Sequence, residues 1–407
     1  MSLLDALKKK TQLAADTASL SEIRRFKLDH ATNNQTLIRQ AITSPEYQAM
    51  VTLAKNKGNG EPDLFYDHLL VAIGSAILNE IPGTLSTQID PQLTFDTKKI
   101  LARCRRLISL FDDAGADCKR LILKIPASWE GISAAKILEK EQIRCNITLI
   151  FSLFQASAAF EANATMIAPY VGRVSDWFAA HAPHRNVNAD PGVHFVQQIL
   201  AHAKQLGCGT QVMAASFRSI EQIMNLVQSH YLTIGPKLLA SLLEQPNIAS
   251  PAIESTPVAE PQVYRNRSSS VNLDSARQSQ IEAADAPEGA VYLRSEEQVK
   301  QPWLRTGSER RSPSPSGKGE DEDRFGCGNT TRFGEPSQCV TGEASLDANR
   351  AASPNSQNLT DCGITKNLNK DTFQSLFSQD LMASTLFADG LQKFTKDYLE
   401  VIHLLHS

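Results

Sequence analysis

The chain has 407 residues, 42% hydrophobic and 21% charged, enough to bury a large core in one domain or to divide into two or three. Its 41 basic and 44 acidic residues leave a formal charge of −3, which argues against nucleic acid as a partner. No apolar run approaches a membrane span, and the opening Met1-Ser-Leu-Leu-Asp-Ala-Leu-Lys-Lys-Lys10 lacks the apolar core and cleavage site of a secretory signal. Seven cysteines without a CxxC pair read as the reduced thiols of a cytoplasmic protein, not as a disulfide framework or a zinc site.

From the N-terminus to about residue 245, short apolar or β-branched runs alternate with longer amphipathic ones. Strands are predicted at 11–16, 26–32, 83–89, 120–125, 143–149, 165–170, 209–215 and 231–234. Eight strands with intervening helices imply a closed (β/α)8 TIM barrel over residues 1–246. Two of the helices are legible in detail. Residues 63–80 carry Leu64, His68, Leu69, Ile73 and Ile77 at helical spacing, and Phe95-Asp-Thr97 caps a helix over 98–111.

In such a barrel, reactive groups sit at the C-terminal ends of strands, and the predicted strands end on polar residues. These are Asp16, Asn33 with Asn34, Gln88, Lys124, Asn146 with Thr148, Tyr170 followed by Arg173, and Ser216 with Arg218. Lys124 stands alone in the apolar run Leu121-Ile-Leu-Lys-Ile-Pro126. Either it snorkels to water from an edge strand, or it is buried where the neutral, nucleophilic amine is favoured.

Composition changes near residue 247. Through residue 370 the chain is rich in Ser, Pro, Gly, Asn and Gln, with Ser308-Glu-Arg-Arg-Ser-Pro-Ser-Pro-Ser-Gly317 and Glu320-Asp-Glu-Asp323. That segment reads as a disordered linker, with a phosphorylation or docking site as the other reading. Residues 371–407 regain periodicity at Phe387, Leu391, Phe394, Tyr398, Ile402 and Leu405, which predicts an amphipathic helix docked on the barrel.

The rim residues and their neighbours resemble transaldolases of the long bacterial type over roughly residues 5–245 and 371–406. The segments that carry the resemblance are Ala15-Asp-Thr17, Ser86-Thr-Gln-Ile-Asp90, Leu123-Lys-Ile125 with Trp129-Glu-Gly131, Cys145-Asn-Ile-Thr-Leu149, Pro169-Tyr-Val-Gly-Arg173-Val-Ser-Asp-Trp177, Asp190-Pro-Gly192 and Ala215-Ser-Phe-Arg218. The resemblance implies a class I Schiff-base enzyme that moves a dihydroxyacetone unit between sugar phosphates in the non-oxidative pentose phosphate branch. It implies Lys124 as the imine-forming lysine and Asp16 as the base at the C4 hydroxyl. Thr148, Gln88 and Tyr170 would lie at the proton relay, Asn34 and Asn146 would bind the dihydroxyacetone part, and Arg173, Ser216 and Arg218 the phosphate. No metal or organic cofactor is implied, and a homodimer is expected.

Several positions depart from that pattern. Gln88 replaces a glutamate, Ala168 a serine and Tyr170 a phenylalanine, and these three are what the fructose-6-phosphate aldolase branch carries. Asn33 and Gln35 replace a threonine and a proline, and His30 replaces an aspartate near the rim. Three functions therefore follow as expectations: a transferase, a lyase releasing free dihydroxyacetone, or a catalytically weakened transaldolase-like binding protein.

Overall fold

The computed structural model describes residues 2–182, 190–246 and 368–405. Eight parallel strands close a barrel in chain order: β1 (Gln12–Asp16), β2 (His30–Thr32), β3 (Leu85–Gln88), β4 (Leu121–Pro126), β5 (Cys145–Ile150), β6 (Met166–Pro169), β7 (Gln211–Ala214) and β8 (Tyr231–Ile234). The last strand pairs with the first through Gln12↔Tyr231 and Leu13↔Leu232. β4 and β5 are buried along their whole length, as strands covered on both faces are, with Lys124, Asn146 and Thr148 as their buried polar positions.

Two cores result from the alternation along each strand. Inside the barrel, Ala14, Ile122, Met166, Met213 and Tyr231 form a small separate cluster below the polar mouth. The larger core fills the space between strands and helices. The helices around the barrel are α1 (Leu3–Lys8), α2 (Leu20–Phe26), α3 (Gln35–Ala41), α4 (Gln48–Gly58), α5 (Pro62–Glu80), α6 (Thr97–Asp113), α7 (Trp129–Leu138), α8 (Leu153–Glu161), α9 (Val171–His181), α10 (Pro191–Leu206), α11 (Ile220–Met224) and α12 (Pro236–Glu244). Their starts follow capping chemistry: Asp96 accepts from the Lys99 amide at α6, and Asp190 accepts from the Val193 amide ahead of Pro191 at α10.

The predicted second strand starts four residues too early. Phe26 is the buried last residue of α2, and Lys27, in the left-handed region at φ 48°, turns the chain toward β2. His30 is also not at the catalytic rim. It sits at the N-terminal end of β2, bonded to Thr84 Oγ1 at 2.9 Å and Gln12 Oε1 at 3.1 Å, with its ring edge-on to Tyr231.

The expected terminal helix is two helices, α13 (Lys370–Gln379) and α14 (Leu381–His403), with Asp380 as the N-cap of the second. Phe373 of α13 packs on Trp129 and Phe154. α14 is pinned to α3 by Asp397, which accepts from Arg39 Nε at 2.8 Å and from the Thr36 hydroxyl. Tyr398 meets Tyr66 of α5 edge-on at 4.7 Å. The predicted linker and its phosphorylation or docking motif lie outside the described residues.

Candidate active site

Parallel register brings three predicted residues side by side in the barrel lumen: Gln88 is the partner of Lys124, and Lys124 is the partner of Asn146. Lys124 is 4% exposed, so the snorkelling alternative does not hold for this strand. Its Nζ reaches the Asn33 carbonyl oxygen at 3.4 Å, a long contact that leaves the amine free to find a better acceptor. Both ends of the Gln88 amide and the Asn146 Oδ1 are buried and make no hydrogen bond among the described residues. Buried polar groups are ordinarily satisfied, so these atoms on either side of the amine stand out as hydrogen-bonding capacity not used within the barrel.

Asp16, at the end of β1, lies close enough for the Lys124 charge to act on it. Burial pushes its carboxyl above the usual carboxylate range, while Lys124 and a hydrogen bond from Thr32 pull it back. Thr32 Oγ1 stands 2.9 Å from Asp16 Oδ1 and 2.6 Å from Thr233 Oγ1. Because Thr32 has one hydroxyl proton, donating it to an ionised Asp16 requires Thr233 to donate to Thr32. In its ionised form Asp16 would thus be held by a directed chain of two hydroxyls.

On the next wall, Thr148 Oγ1 donates to the Tyr170 hydroxyl at 3.1 Å. Thr148 and Ala168 are register partners, and the methyl of Ala168 supplies no hydroxyl there. Tyr170 is buried against Phe151.

Alternation separates the two asparagines after β2. The Asn33 side chain turns out of the barrel, its Oδ1 accepting from Thr87 at 2.8 Å, so only its carbonyl serves the mouth. Asn34 caps α3, its Oδ1 accepting from the Leu37 amide at 3.1 Å. Gln35 fastens this turn to the end of β3 by donating to the Ile89 carbonyl at 2.7 Å, which replaces the constraint a proline would give.

The outer rim is charged. The Arg173 guanidinium lies 5.9 Å from the Tyr170 ring centroid and forms no ion pair among the described residues. Arg218 is gripped by Asp176 through Nε at 3.0 Å and Nη2 at 2.7 Å, and its Nη1 contacts the Ser216 carbonyl at 3.0 Å and Oγ at 3.2 Å. Ser216 adopts φ 63°, a left-handed conformation that costs energy for a residue other than glycine and aims its hydroxyl at this guanidinium. The Arg218 amide is held by Gln222, which also bonds Asp190 at 2.8 Å. With Asp176 on one edge and Ser216 at Nη1, the planar guanidinium is fixed in orientation, and all three of its nitrogens already donate.

Asp176, Thr32 and Thr233 were given no role by the sequence. Thr32 and Thr233 could have been found as inward positions of β2 and β8. Asp176 could have been found as an acid three residues after Arg173, on the second turn of α9.

A family model described as Transaldolase/Fructose-6-phosphate aldolase matches residues 13–285. A transaldolase of Nostoc punctiforme is 44% identical over 252 residues, covering 59% of this chain and 75% of that protein. With the barrel, the buried lysine and these matches together, the chain belongs to the transaldolase/fructose-6-phosphate aldolase family.

Proposed function

We propose that this chain is a transaldolase that carries a dihydroxyacetone unit from a ketose phosphate to an aldose phosphate on Lys124. The supporting observation is the buried Lys124 set between the unpartnered Gln88 amide and the unpartnered Asn146 Oδ1, within reach of the Asp16 charge. Lys124 Nζ adds to the C2 ketone, and loss of water gives a protonated imine. Asp16 takes the C4 hydroxyl proton, the C3–C4 bond breaks, and its electrons move into the imine to leave an enamine. The shortened aldose phosphate departs. The enamine carbon then attacks the acceptor's carbonyl, Asp16 returns the proton to the new hydroxyl, and water releases the product and the free amine. Arg173, Ser216 and Arg218 hold the phosphate away from the reacting carbons, so that its binding energy orients the chain of the sugar.

One contact favours a second reading. With Gln88 unable to exchange a proton, the Tyr170 hydroxyl at Thr148 suits delivery of a proton, through water, to the enamine carbon; the iminium so formed is hydrolysed at C2, which frees dihydroxyacetone and the lysine amine. Incubation with fructose 6-phosphate and borohydride, followed by mass spectrometry, tests the shared step. The adduct is expected on Lys124, and its persistence in Lys124→Ala would refute the scheme. In the same samples, free dihydroxyacetone is measured with and without erythrose 4-phosphate. Suppression by the acceptor supports transfer, and undiminished release supports the lyase.

A further inference from the structure

Helix α14 meets the charged rim at a glycine. A Cβ built on Gly390 would lie 2.7 Å from Leu149 Cδ2 and 3.1 Å from Arg173 Nη1, so the bare helix backbone is already in contact with both. Leu149 has little room to withdraw. It is fully buried, has φ 59°, and lies where the β5–β6 register shifts between Thr148 and Ile150. The helix is held too, by Asp397 on α3 and by Tyr398 on Tyr66, two turns beyond the glycine. Arg173 is the partner that can move. Its side chain is only partly buried, and among the described residues it has no carboxylate to anchor it.

We propose that Gly390 is a positioning residue for Arg173: the missing side chain lets the guanidinium rest against α14 at the reach where it meets a sugar phosphate. The terminal helix thereby sets the preference for phosphorylated over unphosphorylated aldehydes. This rests on the assignment of Arg173 to the phosphate. A Cβ at position 390 pushes the Nη1 edge aside and leaves Lys124 and Asp16 untouched, so the effect belongs to binding of the phosphate end and not to the chemical step.

A double-mutant cycle between the two positions tests this, with kcat and KM measured for erythrose 4-phosphate and for unphosphorylated glyceraldehyde as acceptors. Gly390→Ala is expected to raise KM for the phosphorylated acceptor about tenfold, with kcat within about twofold and glyceraldehyde transfer unchanged. In an Arg173→Ala background the same change is expected to add nothing. Equal loss with both acceptors, no loss, or full additivity in the double variant would each overturn the proposal. If Arg173→Ala itself leaves the phosphate preference intact, the assignment of Arg173 falls and the proposal with it. That failure shows in the arginine variant alone, so the two are distinguishable. Should Gly390→Ala fail to fold, Leu149→Ala combined with Gly390→Ala removes the closest contact and keeps the Cβ against Arg173. The selective KM rise is expected there as well, and unchanged selectivity would refute it.

Discussion

The barrel mouth has an inner floor and an outer rim that obtain their polarity in opposite ways. On the floor, Lys124, Gln88 and Asn146 project from paired strands and are buried, and both ends of the Gln88 amide and the Asn146 Oδ1 stay unmatched. On the rim, Ser216 and Arg218 sit on loop backbone, and the exposed guanidinium is matched by Asp176 and Ser216. Strands fix position through the sheet, so the floor can leave its polar groups unpartnered for the substrate. A loop side chain in water has many conformations, and an ion pair there contributes little stability, so its use is to restrict where Arg218 points. Chemistry and grip are thus assigned to different physical supports.

The most damaging test of that division is removal of the floor's carboxylate. Asp16→Ala is expected to lower kcat by about 10²–10⁴-fold, equally for phosphorylated and unphosphorylated acceptors, because a general base acts on the reacting hydroxyl whatever the far end carries. Steady-state assays with both acceptors check it. A loss confined to the phosphorylated one would show that floor and rim are not separate.

Most of the floor was readable in the sequence because period-2 alternation and strand-end position are local properties. Gln88 ends β3, Lys124 and Asn146 lie inside β4 and β5 on the lumen side of the alternation, and the register joins the three. What escaped depends on contacts between distant segments. Nothing near Phe26 distinguishes a helix end from a strand start, since a buried phenylalanine suits both; the left-handed Lys27 decides it. His30 looked like a rim residue only while β2 was given seven residues, whereas its actual partners belong to the start of β1 and the approach to β3. Asn33 and Asn34 were a matched pair in the sequence, and only the pleat sends one side chain outward to Thr87 and leaves the other to cap α3. Asp90 stood in a segment that carries the family resemblance, and its carboxylate pairs at 3.5 Å with Arg103, which also pairs with Asp67 and Asp63 of α5.

The rim's dependence on a preset guanidinium is examined by Asp176→Asn. Loss of the two-point grip on Arg218 is expected to raise KM for phosphorylated substrates about fivefold and to leave glyceraldehyde kinetics unchanged. A fall in KM would instead mean that Asp176 competes with the phosphate for Arg218, and the rim would then resemble the floor in working best unpaired.

The smallest expected effect concerns a floor group that does have a partner. Asp16 is raised by burial, and the proton donated by Thr32 stabilises its charged form and so opposes that rise. Thr32→Val deletes the donor and, with it, the chain to Thr233 at 2.6 Å. The carboxylate loses a hydrogen bond while its desolvation stays, so its proton affinity increases further. A base must be ionised to accept the C4 proton, so the acid limb of the kcat/KM profile is expected to move to higher pH. The variant then loses about threefold in rate on that limb and recovers toward the parent rate as pH rises. A pH-independent loss would mean that Thr32 only shapes the lumen. A shift to lower pH would reverse the donor direction drawn for Thr233 and Thr32, and would place the proton on Asp16 in the resting enzyme.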